Sequence, residues 1–317
     1  MGHDIGGLHH VGHLVHDMGQ ALERYRRLGF ALPGPAYPVL GEPPEPFGVG
    51  NTHAYLADGF IELVSVAGAS GRMPDDVRLI PLHAPAERLP ALKTAVSRAA
   101  GNLEDRLRRF EGVHILMFDS ANIDAAAARL TESGVGHGGV LDTQRPVETA
   151  DELRMEPARL LEIDGVGAGR VPEGRVGVAS NATAFSVEHP NGAVGLVECV
   201  LCVADAELDD VERRYALYLG RTAGRDARKG LVRTFPLDGD AKVTLAAASG
   251  LDGMLPGEVP KGLPGFVAYA VGVRDVAATE RLLRESRIPL GRTSSGEVFV
   301  PAREAFGVAI IFRQTTG

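Results

Sequence analysis

The chain has 317 residues, 44% of them hydrophobic and 23% charged, with a formal net charge of −8 and a pI near 5.7. That length holds two domains or one large one, and the acidic balance, with no Lys/Arg-rich block, argues against a nucleic-acid surface. No apolar run approaches the roughly 20 residues that span a bilayer, and "MGHDIGG" lacks the basic and apolar regions of a secretory signal, so a cytoplasmic protein is expected.

The first predicted element is a strand in "LHHVGHLVHD" (residues 8–17), running through Asp17 into the amphipathic helix "MGQALERYRRLGF". On a strand, His10, Gly12, Leu14 and His16 share one face and His9, Val11, His13 and Val15 the other, so adjacent histidines cannot chelate one ion. The Pro/Gly-rich stretch "PGPAYPVLGEPPEPFGVG" reads as a rim or lid loop. Next comes a hairpin, "THAYLADGFIELVSV", with Asp58-Gly59 as its two-residue turn. That turn pairs Ala57 with Phe60, Tyr55 with Glu62 and His53 with Val64, leaving His53 roughly 7 Å along the face from Glu62. Glu62 is an acid in an otherwise apolar strand, where burial would raise its pKa unless a cation or donors compensate.

A partly helical linker, "RMPDDVRLIPLHAPAERLPALKTAVSRAAGNLEDRLRRF", leads to a second strand–helix unit, "EGVHILMFDSANIDAAAARLTESGV". A longer, less regular region follows from about Gly134 to His189, and the Pro-Asn-Gly of "EHPNGAVG" signals a turn. "LVECVLCVADAELDDVERRYALYLGR" and "PGFVAYAVGVRDVAATERLLRESRI" repeat the strand–helix plan, the former matching the first unit with Asp205 against Asp17. Cys199 and Cys202 lie in a strand at an odd offset, on opposite faces, and read as buried free thiols. The chain is thus α+β: four strand–helix–strands modules starting near residues 8, 112, 196 and 264. Paired, they make two domains, residues 1–190 and 191–317.

Paired βαβββ modules opening with "HHVG…V.D" resemble the vicinal oxygen chelate superfamily, in its glyoxalase-like branch, over nearly the whole chain. The resemblance implies two cup-shaped half-barrel domains. It also implies one divalent metal ion (Fe, Mn, Ni, Co or Zn) in the first, held by His10, Glu62 and His114, with a fourth ligand open among Ser180, Asn181, Glu188 and water. Aligned with His10 and Glu62, the third module carries Glu198 and Thr244, and the fourth has Val267 or Ala268 where His114 would fall. The second domain is therefore expected to hold no metal and to serve structure or dimerisation.

The function expected on this resemblance is that of a metal-dependent isomerase or lyase moving a proton on a small oxygenated metabolite, with His53 and Tyr55 as the candidate catalytic residues, His53 as acid–base group and Tyr55 more readily part of the cup wall. Two alternatives stand beside it: an Fe(II)-dependent dioxygenase of extradiol type, and a non-catalytic ligand-sequestering resistance protein. The expected partner is a small-molecule substrate, with neither nucleic acid nor membrane; a homodimer is left open. Arg145 is a candidate for an anionic substrate group, with an exposed surface arginine as the default.

Overall fold

Three of the four helices of the repeat start where a short polar side chain accepts from the first turn. Asp17 accepts from Gln20 N–H, Asn122 from Ala125 N–H, and Asp275 from the N–H groups of Ala277 and Ala278. Met18, Ala21, Leu22 and Tyr25, at helical spacing, turn one face of the first helix into the core. The computed structural model describes residues 3–40, 45–68, 74–81, 87–148, 153–181, 185–225 and 230–315.

The first module comprises β1 (Gly7–Leu14), α1 (Met18–Arg27), β2 (Ala36–Leu40), β3 (Glu45–Pro46), β4 (Val49–Tyr55) and β5 (Phe60–Val66). After it come β6 (Arg78–Pro81) and the linker helix α2 (Leu89–Leu107). The second module is β7 (Gly112–Asp119), α3 (Ile123–Glu132), β8 (Leu141–Glu148), β9 (Leu153–Glu162) and β10 (Arg175–Asn181). The third is β11 (Ala193–Val203), α4 (Leu208–Leu219), β12 (Gly224–Arg225), β13 (Val232–Pro236) and β14 (Lys242–Ala247). The fourth is β15 (Gly265–Val273), α5 (Val276–Glu285), β16 (Gly291–Arg292), β17 (Val298–Val300) and β18 (Ala309–Gln314).

Modules join through their first strands. β1 lies antiparallel to β7 and parallel to β5, and β7 lies parallel to β10; β11, β15, β14 and β18 repeat this arrangement. The duplication extends to single residues. His10 faces Phe60 and Met117, as Glu198 faces Lys242 and Ala270, and both antiparallel pairs shift register at corresponding places. Glu198 therefore stands where His10 stands, Thr244 where Glu62 stands, and Val267 in the bulge that holds His114.

The result is two curved sheets whose convex sides share one core with the helices. In the first cup, Leu14, Val64, Val66, Ile115 and Met117 meet Ala100 and Leu107 of α2, which fills part of the concavity. In the second, Val200, Cys202, Ala246, Ala268 and Ile311 are covered by Leu251 and Leu255. The halves meet at the Val113–Phe266 pair and through a buried chain running from His13 Nδ1 to the Tyr25 hydroxyl (2.6 Å) and on to the Tyr269 hydroxyl (2.9 Å). Cys199 and Cys202 are buried free thiols in different clusters, as their odd spacing predicts.

The Pro/Gly-rich stretch is not wholly a loop. Its Ala36–Leu40 strand runs parallel to β6 and meets β4 at Asn51, with Tyr37 buried and bonded to the Ser65 hydroxyl. Among the described residues, no helix is long and apolar enough to cross a membrane.

Candidate active site

The hairpin that carries the site is shifted from the register its sequence suggests. Tyr55 faces Phe60 and His53 faces Glu62, with Leu56 N–H bonded to the Gly59 carbonyl (3.0 Å), so Ala57 and Asp58 form the loop. Asp58 is drawn into a ladder with the second half: its N–H donates to Val194 O (3.2 Å), and Leu196 N–H donates to its carbonyl (2.8 Å). Gly59 is needed for a different reason than a turn centre. Its φ is +80°, and a Cβ there would lie 2.7 Å from Leu8 O. The consequence is that His53 sits beside Glu62 rather than farther along the face.

Parallel pairing sets Gly12 opposite Glu62 and His10 opposite Phe60, which brings the His10 ring to the same face. His10 Nε2 lies 3.9 Å from one Glu62 oxygen and His53 Nε2 lies 3.7 Å from the other. The Asn51 amide donates to Glu62 Oε1 at 2.8 Å. Burial alone would raise the Glu62 carboxyl. The neighbouring His53 imidazole, then His10 and the Asn51 hydrogen bond, outweigh it and hold the pKa at about 2. His10 is pushed well below the usual imidazole value by burial first, then by neighbouring charges that include His9 and Arg175. At neutral pH the cluster thus contains an ionised carboxylate beside a neutral His10. The Nδ1 atoms of His9 and His10 are 2.7 Å apart, so one donates and the other accepts. The nearby carboxylate favours the His10 tautomer with its proton on Nε2, its Nδ1 then accepting from His9.

Aromatic rings wall the cluster. Phe60 stacks on His10 (4.6 Å between ring centres) and meets His53 edge-on (5.3 Å), while Tyr55 stacks on His53 (5.2 Å). Tyr55 is buried in this wall. A cavity of about 1030 Å³ at the cup mouth is lined by Tyr55, Phe60, Arg145, Ser180 and Phe185, and by the Val194–Val197 edge of the second half. His10, His53 and Glu62 are not part of this lining; Phe60, which is, contacts both imidazole rings and lies 5.6 Å from the Arg145 guanidinium carbon.

His114 does not join the cluster. It falls at the β7 bulge, where its Nε2 bonds the Phe110 carbonyl (2.8 Å) and its ring lies 4.4 Å from that of Phe110. Burial lowers its pKa to about 4. The bulge is the physical reason: one extra residue between Val113 and Ile115 breaks the alternation that a plain strand would give. Met117 and Ile115 take the concave positions opposite His10 and Gly12. Nor does Glu188 reach the cup, being 87% exposed and paired with Arg274 at 3.6 Å. Ser180 lines the mouth, and the Asn181 side chain lies outside the described residues. The expected metal set of His10, Glu62 and His114 is therefore not assembled. Among the described residues, no group of three or more His, Cys, Asp or Glu side chains is arranged to hold a metal ion.

Two residues of the site were not singled out in the sequence. Asn51 shares a face with His53 and Tyr55 by simple alternation in "NTHAY", a signal that was present. Arg175, paired with Glu162 and close enough to depress His10, carries no local signal. His189 is structural: its two ring nitrogens bond Ala31 N–H and the Tyr55 carbonyl, both at 2.9 Å.

A family model described as a glyoxalase-like domain matches residues 8–219. Among solved structures, a mutant of 4-hydroxymandelate synthase from Streptomyces coelicolor is similar at 12% identity and TM-score 0.59, over 99% of this chain and 94% of that one. A hypothetical protein from Staphylococcus aureus is similar at 10% identity and TM-score 0.57, over 97% and 98% of the two chains. At such identities the likeness is one of fold. No curated protein matches the chain.

Proposed function

The chain belongs to the glyoxalase-like family of the vicinal oxygen chelate superfamily, and from that premise we propose that it is an enzyme moving a proton on a small oxygenated molecule, as an isomerase or lyase. The observation that carries this reading is the Glu62 carboxylate flanked by two imidazole Nε2 atoms, at 3.9 and 3.7 Å, behind an aromatic wall. With its pKa held at about 2, Glu62 is a poor base for a carbon acid. Its charge instead orients His53 and favours the imidazolium that forms when His53 takes the proton. His10, kept neutral, has an Nε2–H suited to donate to an enolate oxygen. Tyr55 and Phe60 exclude water from the reacting carbon. Asn51 fixes the carboxylate.

No step here runs through a metal, because the expected ligands do not converge. A divalent ion at this cup remains a proposal resting on His10 and Glu62, the two expected ligands that the fold brings near each other. Elemental analysis of protein purified without chelators, beside His10→Ala, tests it. One equivalent of metal in the wild type, lost in the variant, would reinstate Lewis-acid chemistry at this cup.

The proton-transfer reading is tested by NMR in deuterated water, following loss of C–H signal from a panel of small hydroxy and keto compounds. Wild-type exchange should fall by about 10²- to 10⁴-fold in His53→Ala. Oxygen uptake in place of exchange would support the dioxygenase alternative. Retention of a compound without exchange or oxygen uptake would support sequestration.

A further inference from the structure

We propose that Arg145 anchors an oxyanion, so that the molecule handled in the first cup is a small acid bearing a carboxylate or phosphate group. The proposal rests on reading that cup as a small-molecule site. Arg145 sits on β8, opposite Glu156 of β9. β8 curls across the mouth, where Val147 is buried against Tyr55 and Phe60. The Arg145 guanidinium carbon lies 5.8 Å from the Tyr55 ring centre and 5.6 Å from that of Phe60. Its side chain is only 15% exposed, yet it lines the mouth cavity.

The cation is incompletely countered. Its Nη2 is 3.7 Å from the Glu156 carboxylate, beyond a hydrogen bond, and Glu156 is held at 2.7 Å by Arg154. Two guanidinium groups thus share one carboxylate. Among the described residues, the buried Arg145 Nε–H has no acceptor. A donor left in that state carries an uncompensated desolvation cost. A planar guanidinium that lines a cavity suits a carboxylate or phosphate.

Position links the anchor to the chemistry. Phe60 lies beneath Arg145 and stacks on His10, and Glu62 is two residues along the same strand face, roughly 7 Å away. An acid held by Arg145 would thus lie against the ring that walls His10 and His53. The cavity lining also carries Asp58, Asp119 and Asp238, which repel an anion and leave Arg145 to attract it.

Titration calorimetry on the whole chain tests this with succinate, inorganic phosphate and neutral succinamide as probes. The wild type should bind at least one anion and not the diamide, and the anion bound identifies the headgroup. Arg145→Gln should weaken that binding about 10- to 100-fold. Arg145→Lys keeps the charge but loses the fork, so it should fall between the two. Recording each variant's thermal midpoint separates lost binding from lost folding, and the lysine variant stands in if the glutamine variant does not fold. No anion binding by the wild type, or equal affinity in a folded Arg145 variant, overturns the proposal. Either result leaves the proton-transfer reading to stand or fall separately, on exchange measured with neutral carbonyl compounds.

Discussion

Glu62 and Glu198 are carboxylates in the matching cups of a duplicated framework, and their surroundings differ in kind. Glu198 is 4% exposed and saturated: Thr244 donates from its hydroxyl, Arg313 binds at 2.7 Å and Lys242 lies at 3.4 Å. Arg313 also binds Glu297, and Leu251 and Leu255 close the apolar remainder of that cup. Glu62 has one firm donor, Asn51, and two imidazoles standing farther off. All ten histidines of the chain precede residue 190. One copy of the framework has therefore satisfied its polar groups internally, and the other keeps titratable groups facing each other across a gap. Satisfied groups make a stable core, whereas incompletely satisfied ones are available to a ligand.

The sharpest way to break this contrast is to remove Glu198. Glu198→Ala leaves Arg313 and Lys242 without their shared partner and should cost about 3–5 kcal/mol in urea unfolding, as expected for half of a buried ion pair. A loss under 1 kcal/mol would mean that the second cup is not held by its charges.

Acid should strike the histidine-bearing half first. His13 and His114 are buried with pKa values lowered to about 4, burial being the main cause for each. The unfolded chain takes up their protons near pH 6.5, while the folded chain stays neutral there. Stability is accordingly full above pH 6.5 and is lost as pH falls towards 4, by about 3 kcal/mol for each group. Hydrogen exchange followed across that range should show β1 and β7 loosening before β13 and β14. Uniform loosening would break the contrast.

A smaller loss is expected from emptying the plug. Leu255→Ala should destabilise by about 2–4 kcal/mol, since Leu255 is fully buried in the second cup. Leu103→Ala, at the partly buried edge of the α2 plug in the first cup, should cost less in the same urea titration. Glu62→Gln should abolish exchange activity and, since the folded carboxyl is held at about 2, cost at most about 3 kcal/mol at neutral pH. Retained exchange activity in that variant would make Glu62 a structural residue like Glu198.

Much of this was legible in the sequence because helix periodicity, N-cap residues and the strand–helix repeat are local signals. The repeat alone aligns Glu198 and Thr244 with His10 and Glu62. What escaped depended on contacts distant along the chain. The Asp58-Gly59 pair is a sound hairpin turn by itself, but Asp58 pairs with β11, over 130 residues later, and moves His53 beside Glu62. His114 fails as a ligand because of a bulge that alternation does not announce. Arg145 lines the cup because β8 closes over Tyr55, a tertiary fact.

The ladder between Asp58 and the Val194–Leu196 edge has a consequence for handling the gene. A fragment ending at residue 190 would contain His10, His53, Glu62 and Arg145 but lack the strand against which the hairpin loop is set. Its loop would be free to adopt the Asp58-Gly59 turn that its own sequence favours, moving His53 from Glu62 to Val64. Every side chain of the site would be present, in a register that separates them. The second copy would then act as an intramolecular template, and recombining the first half with an unrelated partner domain would require that edge to travel with it.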